Sequence, residues 1–426
     1  MTMAGHILTG FGFGPIQAGL FAKEAFESGN FARIVVAEID SNLVDAVRAN
    51  NGCYHVNVAG RHGIETLQIE RVQLLNPTVD GDKQVLLEAL ACSTEMTTSL
   101  PSVNFYECGG ADSVASMIGA GLKNSSAAAT IVYTAENNNR AAEILAKAVT
   151  EKTGGPPGSN VQFLNTVIGK MSRVVNDPDE IAELGLRTIA PGIERAFLVE
   201  QFNRILVTRS TIAGFRPGIE VFIEKDDLLA FEEAKLYGHN AVHSLLGFLG
   251  AVAGCAKMTE LKQKPALMRT GREAFLVECG GALVKKYRDL GDQLFTDAGF
   301  NEYAEDLLER ITNPFLADTV ARATRDTVRK LGMDDRIFGT MQLALEYGIE
   351  PTNMSVGAAA GLAVLLEDPE QNRMPADLRL GDWRGLDKDS VHRLLDWLWK
   401  GRTCRFAPEL AGLVLDGKDR LKESVS

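Results

Sequence analysis

The sequence predicts an α/β protein in which a doubly wound parallel sheet is followed by a mainly α-helical domain. Two observations lead to this fold class. Between residues 5 and 175, short apolar runs rich in β-branched residues alternate with helical stretches, as in parallel sheets whose strands are joined by helices. From about residue 225, apolar residues recur with helical spacing nearly to the end. We place the sheet domain at residues 1–190 and the helical domain at 191–426.

The first domain is expected to contain strand–helix pairs. Strands are predicted at residues 6–9, 33–39 and 129–134, and the helices that follow them at 18–25, 42–49 and 139–150. Ser41 is the expected N-cap of the second of these helices. A stretch of glycine and proline at 153–158 predicts a loop.

The second domain is expected to be built from long amphipathic helices. They are predicted at residues 226–249, 271–290, 301–310, 317–331 and 336–347. A further amphipathic stretch at 386–399 either covers the core or mediates oligomerisation.

Composition excludes several classes of protein. The chain has 426 residues and a net charge of −12, which argues against a nucleic-acid partner. No apolar run reaches the ~18–20 residues that a membrane helix needs, and the N-terminus lacks the pattern of a signal peptide. The six cysteines form no C-x-x-C pair and no metal-binding cluster, so we expect reduced thiols, no metal and a cytoplasmic location.

A glycine-rich turn between the first strand and helix predicts a dinucleotide site. Gly12 permits the tight turn, and Gly14 lets the backbone approach a pyrophosphate at the N-terminus of the helix. Glu38 ends the second strand, where a carboxylate accepts hydrogen bonds from both hydroxyls of the adenosine ribose. Because that carboxylate repels a 2′-phosphate, the expected cofactor is NAD rather than NADP. The alternative interpretation is a plain glycine-rich turn of another α/β protein.

Three polar residues on the first helix of the second domain suggest catalytic chemistry. On a regular helix, Lys235 and His243 lie ~80° apart, Asn240 and His243 ~60° apart, and Lys235 and Asn240 ~140° apart. A lysine whose pKa is lowered by burial can act as a general base, and the other two side chains can donate hydrogen bonds to a reacting oxygen. The alternative is an ordinary amphipathic helix with an exposed lysine, a solvated asparagine and a core histidine.

These residues, together with several other motifs, resemble the polyol-specific long-chain dehydrogenase/reductases, the mannitol dehydrogenase family. The most specific match is the K-x-x-x-x-N-x-x-H signature of Lys235, Asn240 and His243. The similarity runs from residue 7 to about residue 365. The further matching motifs are Thr134-Ala135-Glu136-Asn137 with Arg140, Val199-Glu200-Gln201-Phe202, Asn313-Pro314-Phe315-Leu316 with Asp318, and Arg329-Lys330-Leu331 with Asp335-Arg336.

The resemblance implies a Rossmann domain, a helical substrate domain and a cleft between them. It implies hydride transfer between NAD and a sugar alcohol or sugar-alcohol phosphate without a metal. Lys235 is then the general base, with Asn240 and His243 polarising the oxygen and Glu232 relaying the proton, although Glu232 is equally well an ordinary surface acid. The implied cofactor-binding residues are Gly12, Gly14, Ile16, Gln17, Glu38 and Asn137, and the implied substrate-binding residues are Arg209, Arg322 and Lys330.

The chain departs from the family pattern at three places. Gln17 and Ala18 replace the usual Gly-Arg of the cofactor turn, and Ser172 replaces an aspartate. Ile168 stands where the family has an active-site asparagine, with Asn165 nearby but at the wrong spacing. The family's cofactor contacts at the turn and one of its contacts to the reacting oxygen are therefore not carried over to this chain.

The substrate is less closely defined by the sequence. The second half looks most like the members that act on the mannitol 1-phosphate and fructose 6-phosphate pair, and Arg209 stands where phosphate-using members are basic. The alternatives are a free polyol such as mannitol, a hexuronate such as altronate or mannonate, or a non-catalytic NAD-binding regulator on the same scaffold. We expect a monomer or small homo-oligomer with a sugar-like small-molecule partner.

Overall fold

A computed structural model describes residues 5–425, which form two compact units that divide after Leu229. Part of the N-terminal segment considered for a signal peptide, residues 1–4, lies outside the described residues. The strands, all in the first unit, are β1 His6–Phe11, β2 Phe31–Ala37, β3 Tyr54–Ala59, β4 Ile64–Ile69, β5 Val72–Leu75, β6 Glu95–Thr98, β7 Thr130–Thr134, β8 Val161–Ile168, β9 Ser172–Val175, β10 Ala196–Glu200, β11 Ile205–Thr208 and β12 Phe222–Lys225.

The larger sheet of the first unit has the strand order β12-β11-β8-β7-β6-β1-β2-β5. The strands from β8 to β5 are all parallel, and their order along the sheet is that of the Rossmann fold. β11 then adds antiparallel to β8, and β12 adds parallel to β11. The predicted doubly wound parallel sheet is therefore confirmed.

A second, smaller sheet has the order β4-β3-β10-β9. Because β10 pairs with β3, a strand beyond residue 190 belongs to the first unit, as do β11 and β12. The first compact unit thus continues past the boundary that the sequence predicts.

The helices of this unit are α1 Lys23–Ser28, α2 Ser41–Ala49, α3 Asp80–Cys92, α4 Val114–Lys123, α5 Ala141–Thr153 and α6 Pro178–Glu183, with α7 Leu229–Glu233 starting at its end. Asp40, rather than Ser41, caps α2 by accepting from the backbone of Leu43.

The second unit is helical throughout its described residues. Its helices are α8 Ala241–Val252, α9 Pro265–Glu273, α10 Gly281–Tyr287, α11 Asp297–Ile311, α12 Val320–Thr324, α13 Thr327–Lys330, α14 Phe338–Glu346, α15 Thr352–Glu367, α16 Lys388–Leu398 and α17 Ala407–Val425. The single helix predicted at 317–331 is wrong, because Asp326 adopts a left-handed backbone with φ 62° and separates α12 from α13. Almost every residue of α15 is buried, so this helix runs through the centre of the unit.

Within residues 5–425, three helices contain π-helical turns, in which hydrogen bonds span five residues instead of four. These turns are Gln17–Ala22 before α1, Ala234–Asn240 between α7 and α8, and Ala274–Gly280 between α9 and α10. The first lies in the glycine-motif helix and the second carries Lys235 and Asn240. Two of the three π turns therefore fall at places that the sequence marks for function.

The C-terminal helices complete the second unit. The apolar side of α16 is buried through Val391, Leu394, Leu395 and Leu398, so the amphipathic stretch covers part of the core. α17 lies against α15 so closely that a Cβ on Gly417 would be 2.3 Å from the Ser355 carbonyl oxygen. Within residues 5–425, no helix is long and apolar enough to cross a membrane.

Candidate functional site

The glycine turn joins β1 to the first helix at the carboxyl edge of the parallel sheet. Gly12 has φ 80°, and its N–H donates to the Ala37 carbonyl of the neighbouring strand at 2.9 Å. Gly14 faces open space, with no atom within 4 Å of the place where a Cβ would be. The turn therefore has the left-handed residue and the accessible backbone that a pyrophosphate needs. On this observation the residues present fit a dinucleotide.

Gln17 lies inside the turn, where the family pattern has a glycine. Its side chain is fully buried and accepts from the Thr97 hydroxyl at 3.0 Å. The room for it comes from Gly10, because a Cβ there would lie 2.2 Å from Gln17 Nε2. Two positions later, Gly19 allows close packing against Val199, and the helix takes its π turn over the same residues. Gln17 thus supports the shape of the turn from within, and the partly buried Ile16 packs on the same core.

Glu38 directly follows β2 and faces the glycine turn. One carboxylate oxygen accepts from the Phe13 N–H at 2.8 Å and the other from the Asp40 N–H at 2.9 Å. Each oxygen has a second acceptor site, so both remain able to accept from a ribose hydroxyl. The carboxylate therefore fixes the turn and presents a negative charge beside it.

Asn137 is exposed in the loop that follows β7. Its neighbour Glu136 is buried and accepts from the Thr98 hydroxyl at 2.9 Å and the Leu100 N–H at 2.8 Å. These bonds tie the ends of β6 and β7 together. Asn137 is thus presented at the same edge of the sheet as the glycine turn.

The second candidate group lies on the continuous helix formed by α7, the π turn Ala234–Asn240 and α8. In a π turn the hydrogen bonds join residues five apart, which is the separation of Lys235 and Asn240. The π turn therefore brings these two side chains toward one face. The separation of ~140° expected for a regular helix is wrong at this place for that reason.

Lys235 is partly buried in this turn. Burial and the positive charge of Arg336 lower its pKa to about 8, whereas the charge of Glu232, one turn earlier, opposes the shift. The cation that acts on Lys235 is thus Arg336. A lysine with such a pKa can accept a proton close to neutral pH.

His243 follows one turn after His239 and points to Asp318. The His243 Nε2 lies 2.8 Å from one Asp318 carboxylate oxygen, and Arg322 donates to the other at 2.8 Å. Burial alone would raise the pKa of Asp318, but the hydrogen bond from His243 and the charge of Arg322 outweigh it and hold that pKa below its usual range. The carboxylate is therefore ionised, accepts from Nε2, and leaves Nδ1 of His243 for a substrate oxygen.

Several known proteins are similar to this chain. Residues 227–396 match the model of the mannitol dehydrogenase C-terminal domain. The chain is 26% identical to mannitol-1-phosphate 5-dehydrogenase of Buchnera aphidicola, over 82% of this chain and 84% of that protein. It is also 26% identical to the enzyme of the same name from Halalkalibacterium halodurans, over 85% of this chain and 89% of that protein.

The second half of this chain is thus similar to the mannitol dehydrogenase family. Among solved structures, its fold is similar to a D-sorbitol dehydrogenase in substrate-free form, with a TM-score of 0.77 at 16% identity, covering 99% of this chain and 94% of that one. It is also similar to Pseudomonas fluorescens mannitol 2-dehydrogenase in a ternary complex with NAD and D-mannitol, with a TM-score of 0.68 at 16% identity, covering 99% of this chain and 93% of that one.

Lys330 is held within the second unit. The side chain is buried, and its ammonium donates to the Ala323 carbonyl. Burial, with the charges of Arg336 and Arg329, lowers the pKa of Lys330 to about 7. Arg336 therefore lies close enough to lower the pKa of both Lys330 and Lys235.

Arg209 is placed in the first unit, just after β11. Its exposed guanidinium pairs with Asp226 at 2.7 Å and with Glu224 at 3.2 Å. A substrate phosphate at this position would compete with both carboxylates. The structure thus gives Arg209 carboxylate partners that the sequence analysis did not foresee.

The departures in β8 have structural explanations. Ile168 is buried at the end of the strand. Asn165 accepts from the Ala142 N–H at 2.9 Å and donates to Glu143 at 2.9 Å, so it anchors the start of α5. Neither residue supplies the asparagine amide of the family pattern.

Sequence reasoning missed two contributions to the site. These are Arg336, which acts on Lys235, and Asp318, which binds His243. Their signal was present, since both belong to segments that match the family in order. What the sequence lacked was any indication that these segments face the helix of Lys235. Among the described residues, no three histidine, cysteine, aspartate or glutamate side chains converge as metal ligands.

Proposed function

We propose that this protein is an NAD-dependent dehydrogenase that interconverts a secondary alcohol and a ketone on a sugar alcohol or its phosphate. The observation that carries the proposal is the π turn of the second unit. It sets Lys235, with its pKa lowered to about 8, on one face with Asn240. A general base beside a hydrogen-bond donor is what removal of a hydroxyl proton needs.

In the proposed mechanism, neutral Lys235 accepts the proton of the substrate hydroxyl as the carbon loses hydride. The Asn240 amide and the His243 ring stabilise the charge that develops on the oxygen. His243 donates from Nδ1 when both ring nitrogens carry protons, with its Nε2 held by the Asp318 carboxylate. Glu232 relays the proton away from Lys235. NAD, when bound, supplies the hydride acceptor.

We propose NAD as the cofactor, bound by Gly12, Gly14, Ile16, Glu38 and Asn137, with Gln17 shaping the turn. Glu38 supports the choice because it places a carboxylate beside the turn, where a 2′-phosphate would be repelled. The Pseudomonas relative was crystallised with NAD.

The substrate that we favour is a sugar-alcohol phosphate of the mannitol 1-phosphate and fructose 6-phosphate type. Two relatives with this activity in their names align over more than four fifths of the chain. The second unit also contains neighbouring cations: Arg336 acts on Lys235, and Arg336 and Arg329 act on Lys330. A dianionic phosphate suits such a group better than a neutral polyol does. Arg209 is the further candidate in the first unit.

The other candidate substrate is a free polyol, because the two similar solved structures are named for sorbitol and mannitol dehydrogenases. We further propose a cytoplasmic location, because all six cysteines lie in the described part of the chain and are free thiols. We also propose that the protein is a monomer or small homo-oligomer and that its partner is a small molecule.

The test is a screen for NADH formation with mannitol 1-phosphate, mannitol and mannonate, run with and without a metal chelator. Lys235→Ala serves as the blank. We expect chelator-insensitive turnover that is highest with the phosphate and absent from the blank. NAD binding without turnover of any of the three would favour the regulatory alternative.

A further inference from the structure

The residues that follow α13, through the first turn of α14, lie directly on the π turn that carries Lys235. We call residues 331–340 the flanking segment. The Thr340 hydroxyl is within hydrogen-bond distance of the Tyr237 carbonyl, at 3.2 Å, inside the π turn. The Tyr237 hydroxyl in turn donates to the Asp334 carbonyl at 3.4 Å. A Cβ on Gly339 would be 2.7 Å from the Tyr237 ring, so the two elements are in close contact.

The opposite side of the flanking segment is held by residues that follow α16. Trp399 is buried, and its indole N–H donates to the Leu331 carbonyl at 3.2 Å. Its ring packs edge-to-face on Phe338, with ring centroids 5.3 Å apart. Arg402 pairs with Asp334 at 2.8 Å. Trp399 and Arg402 both lie beyond residue 396, where the match to the family domain ends.

The flanking segment also carries Arg336, the cation whose charge acts on Lys235. The charged groups that act on Lys235 are Arg336 and Glu232, and His239 is close enough to feel the lysine's charge. The Arg336 side chain is only 14% exposed to solvent, and its guanidinium pairs with Asp335 at 3.2 Å. Its distance from Lys235 is therefore set by where the flanking segment packs.

We propose that Trp399 is a positioning residue of the Lys235 site, which holds the flanking segment, and with it Arg336, against the π turn. The proposal rests on the proposed function of Lys235 and extends it to a part of the chain outside the family domain. The physical reason is that a functional group keeps its geometry only when the residues behind it are locked by packing and hydrogen bonds. A loosened segment would move Arg336 away and admit water, and both changes raise the pKa of Lys235.

The test uses Trp399→Phe, which keeps an aromatic ring on Phe338 but removes the N–H that binds the Leu331 carbonyl. Trp397→Phe is the matched control, since Trp397 lies in α16, which Trp399 directly follows, but is only partly buried. Arg402→Ala is a second variant, because an exposed ion pair can be removed without threatening the fold. Its control is Arg393→Ala, which breaks the pair with Asp377 within the C-terminal segment.

Two measurements are made on each variant. One is the pH dependence of kcat for alcohol oxidation, and the other is the pH dependence of Lys235 modification by trinitrobenzenesulfonate, read by peptide mass spectrometry. For Trp399→Phe we expect both midpoints to rise by about half a unit to one unit. We expect a smaller rise for Arg402→Ala, an unchanged KM for NAD, and no shift in either control.

Unchanged midpoints in folded Trp399→Phe, or equal shifts in Trp397→Phe, would overturn the positioning role. The modification assay needs no turnover, so it separates this outcome from failure of the proposed function. If Lys235→Ala kept normal activity, the catalytic proposal would fall, while the Trp399 effect on Lys235 ionisation would still be measurable.

Discussion

The His243 ring and the Asp318 carboxylate are joined by a 2.8 Å hydrogen bond, and the low pKa of Asp318 makes this carboxylate the acceptor. The bond fixes the ring orientation and leaves Nδ1 for a substrate oxygen. Arg322 completes the arrangement from the other side of the carboxylate. Arg322, which the sequence predicts to bind the substrate, thus also binds Asp318, the residue that orients His243.

Replacement of Asp318 by asparagine should lower kcat by about 10- to 1,000-fold, because the amide can also donate to Nε2 and so select the wrong ring tautomer. NAD affinity should stay the same. The measurement is steady-state kinetics beside Asp377→Asn, which removes an exposed carboxylate from another ion pair. Equal activity of the two variants would show that the bond does not orient a reacting group.

The Asp318 interaction should also appear in the stability of the protein. A carboxyl group whose pKa is lowered in the folded state stabilises it above the unfolded pKa of about 4, and this contribution is lost as pH falls below that value. The wild type should therefore lose more stability than Asp318→Asn between pH 5 and pH 3, to be measured by urea unfolding at each pH. Parallel losses in both proteins would contradict the assignment.

The glycine turn allows two substitutions to be compared. Gly10→Ala should destabilise the fold by about 1–3 kcal/mol, because its Cβ would meet the Gln17 amide, and Gln17→Ala should partly restore it. Gly14→Ala has free space and should fold normally, yet bind NAD more weakly. Thermal unfolding and NAD titration distinguish the two effects. Unimpaired NAD binding by Gly14→Ala would mean that the pyrophosphate lies elsewhere.

Cofactor preference should depend on Glu38. Glu38→Ser is expected to lower kcat/KM with NAD and to raise it with NADP. It should also lower the stability of the fold, because the N–H groups of Phe13 and Asp40 lose their acceptor. The comparison is kcat/KM with each cofactor, beside a melting curve. A wild type that uses NADP as well as NAD would refute Glu38 as the residue that accepts from the ribose.

Much of the first unit could be predicted from sequence, because buried parallel strands are continuous apolar runs and the glycine motif lies directly between β1 and its helix. The second sheet could not, since most residues of β4 are exposed or partly exposed and show no apolar run. The break at Asp326 was hidden because its neighbours keep helical spacing.

The candidate site was likewise predicted only in part. The signature residues Lys235, Asn240 and His243 were identified, but their angular relation depends on a π turn that leaves no mark in apolar periodicity. Arg336 acts on Lys235 from another segment, and sequence separation gives no measure of such distances. The unusual Gln17 is explained only when Gly10 on the strand beneath it is seen.

Recognition of a substrate phosphate is tested by Arg209→Ala. If Arg209 binds the phosphate, KM for mannitol 1-phosphate should rise at least several-fold more than KM for mannitol, because only the former carries a dianion. Asp226 already pairs with this guanidinium, so Asp226→Asn should have the opposite effect on the phosphate substrate. Equal changes for both substrates would exclude Arg209 from phosphate binding.

The most direct test of the account is the pH dependence of alcohol oxidation in the wild type and in Lys235→Ala, with NAD binding measured on both. The account predicts a wild-type rate that rises with pH through one ionisation near pH 8, because only the neutral lysine accepts the proton. In Lys235→Ala the rate should fall by about 100- to 10,000-fold, the ionisation should disappear, and NAD affinity should hold. A folded Lys235→Ala protein that binds NAD and turns over normally with the same pH profile would show that the base is another residue.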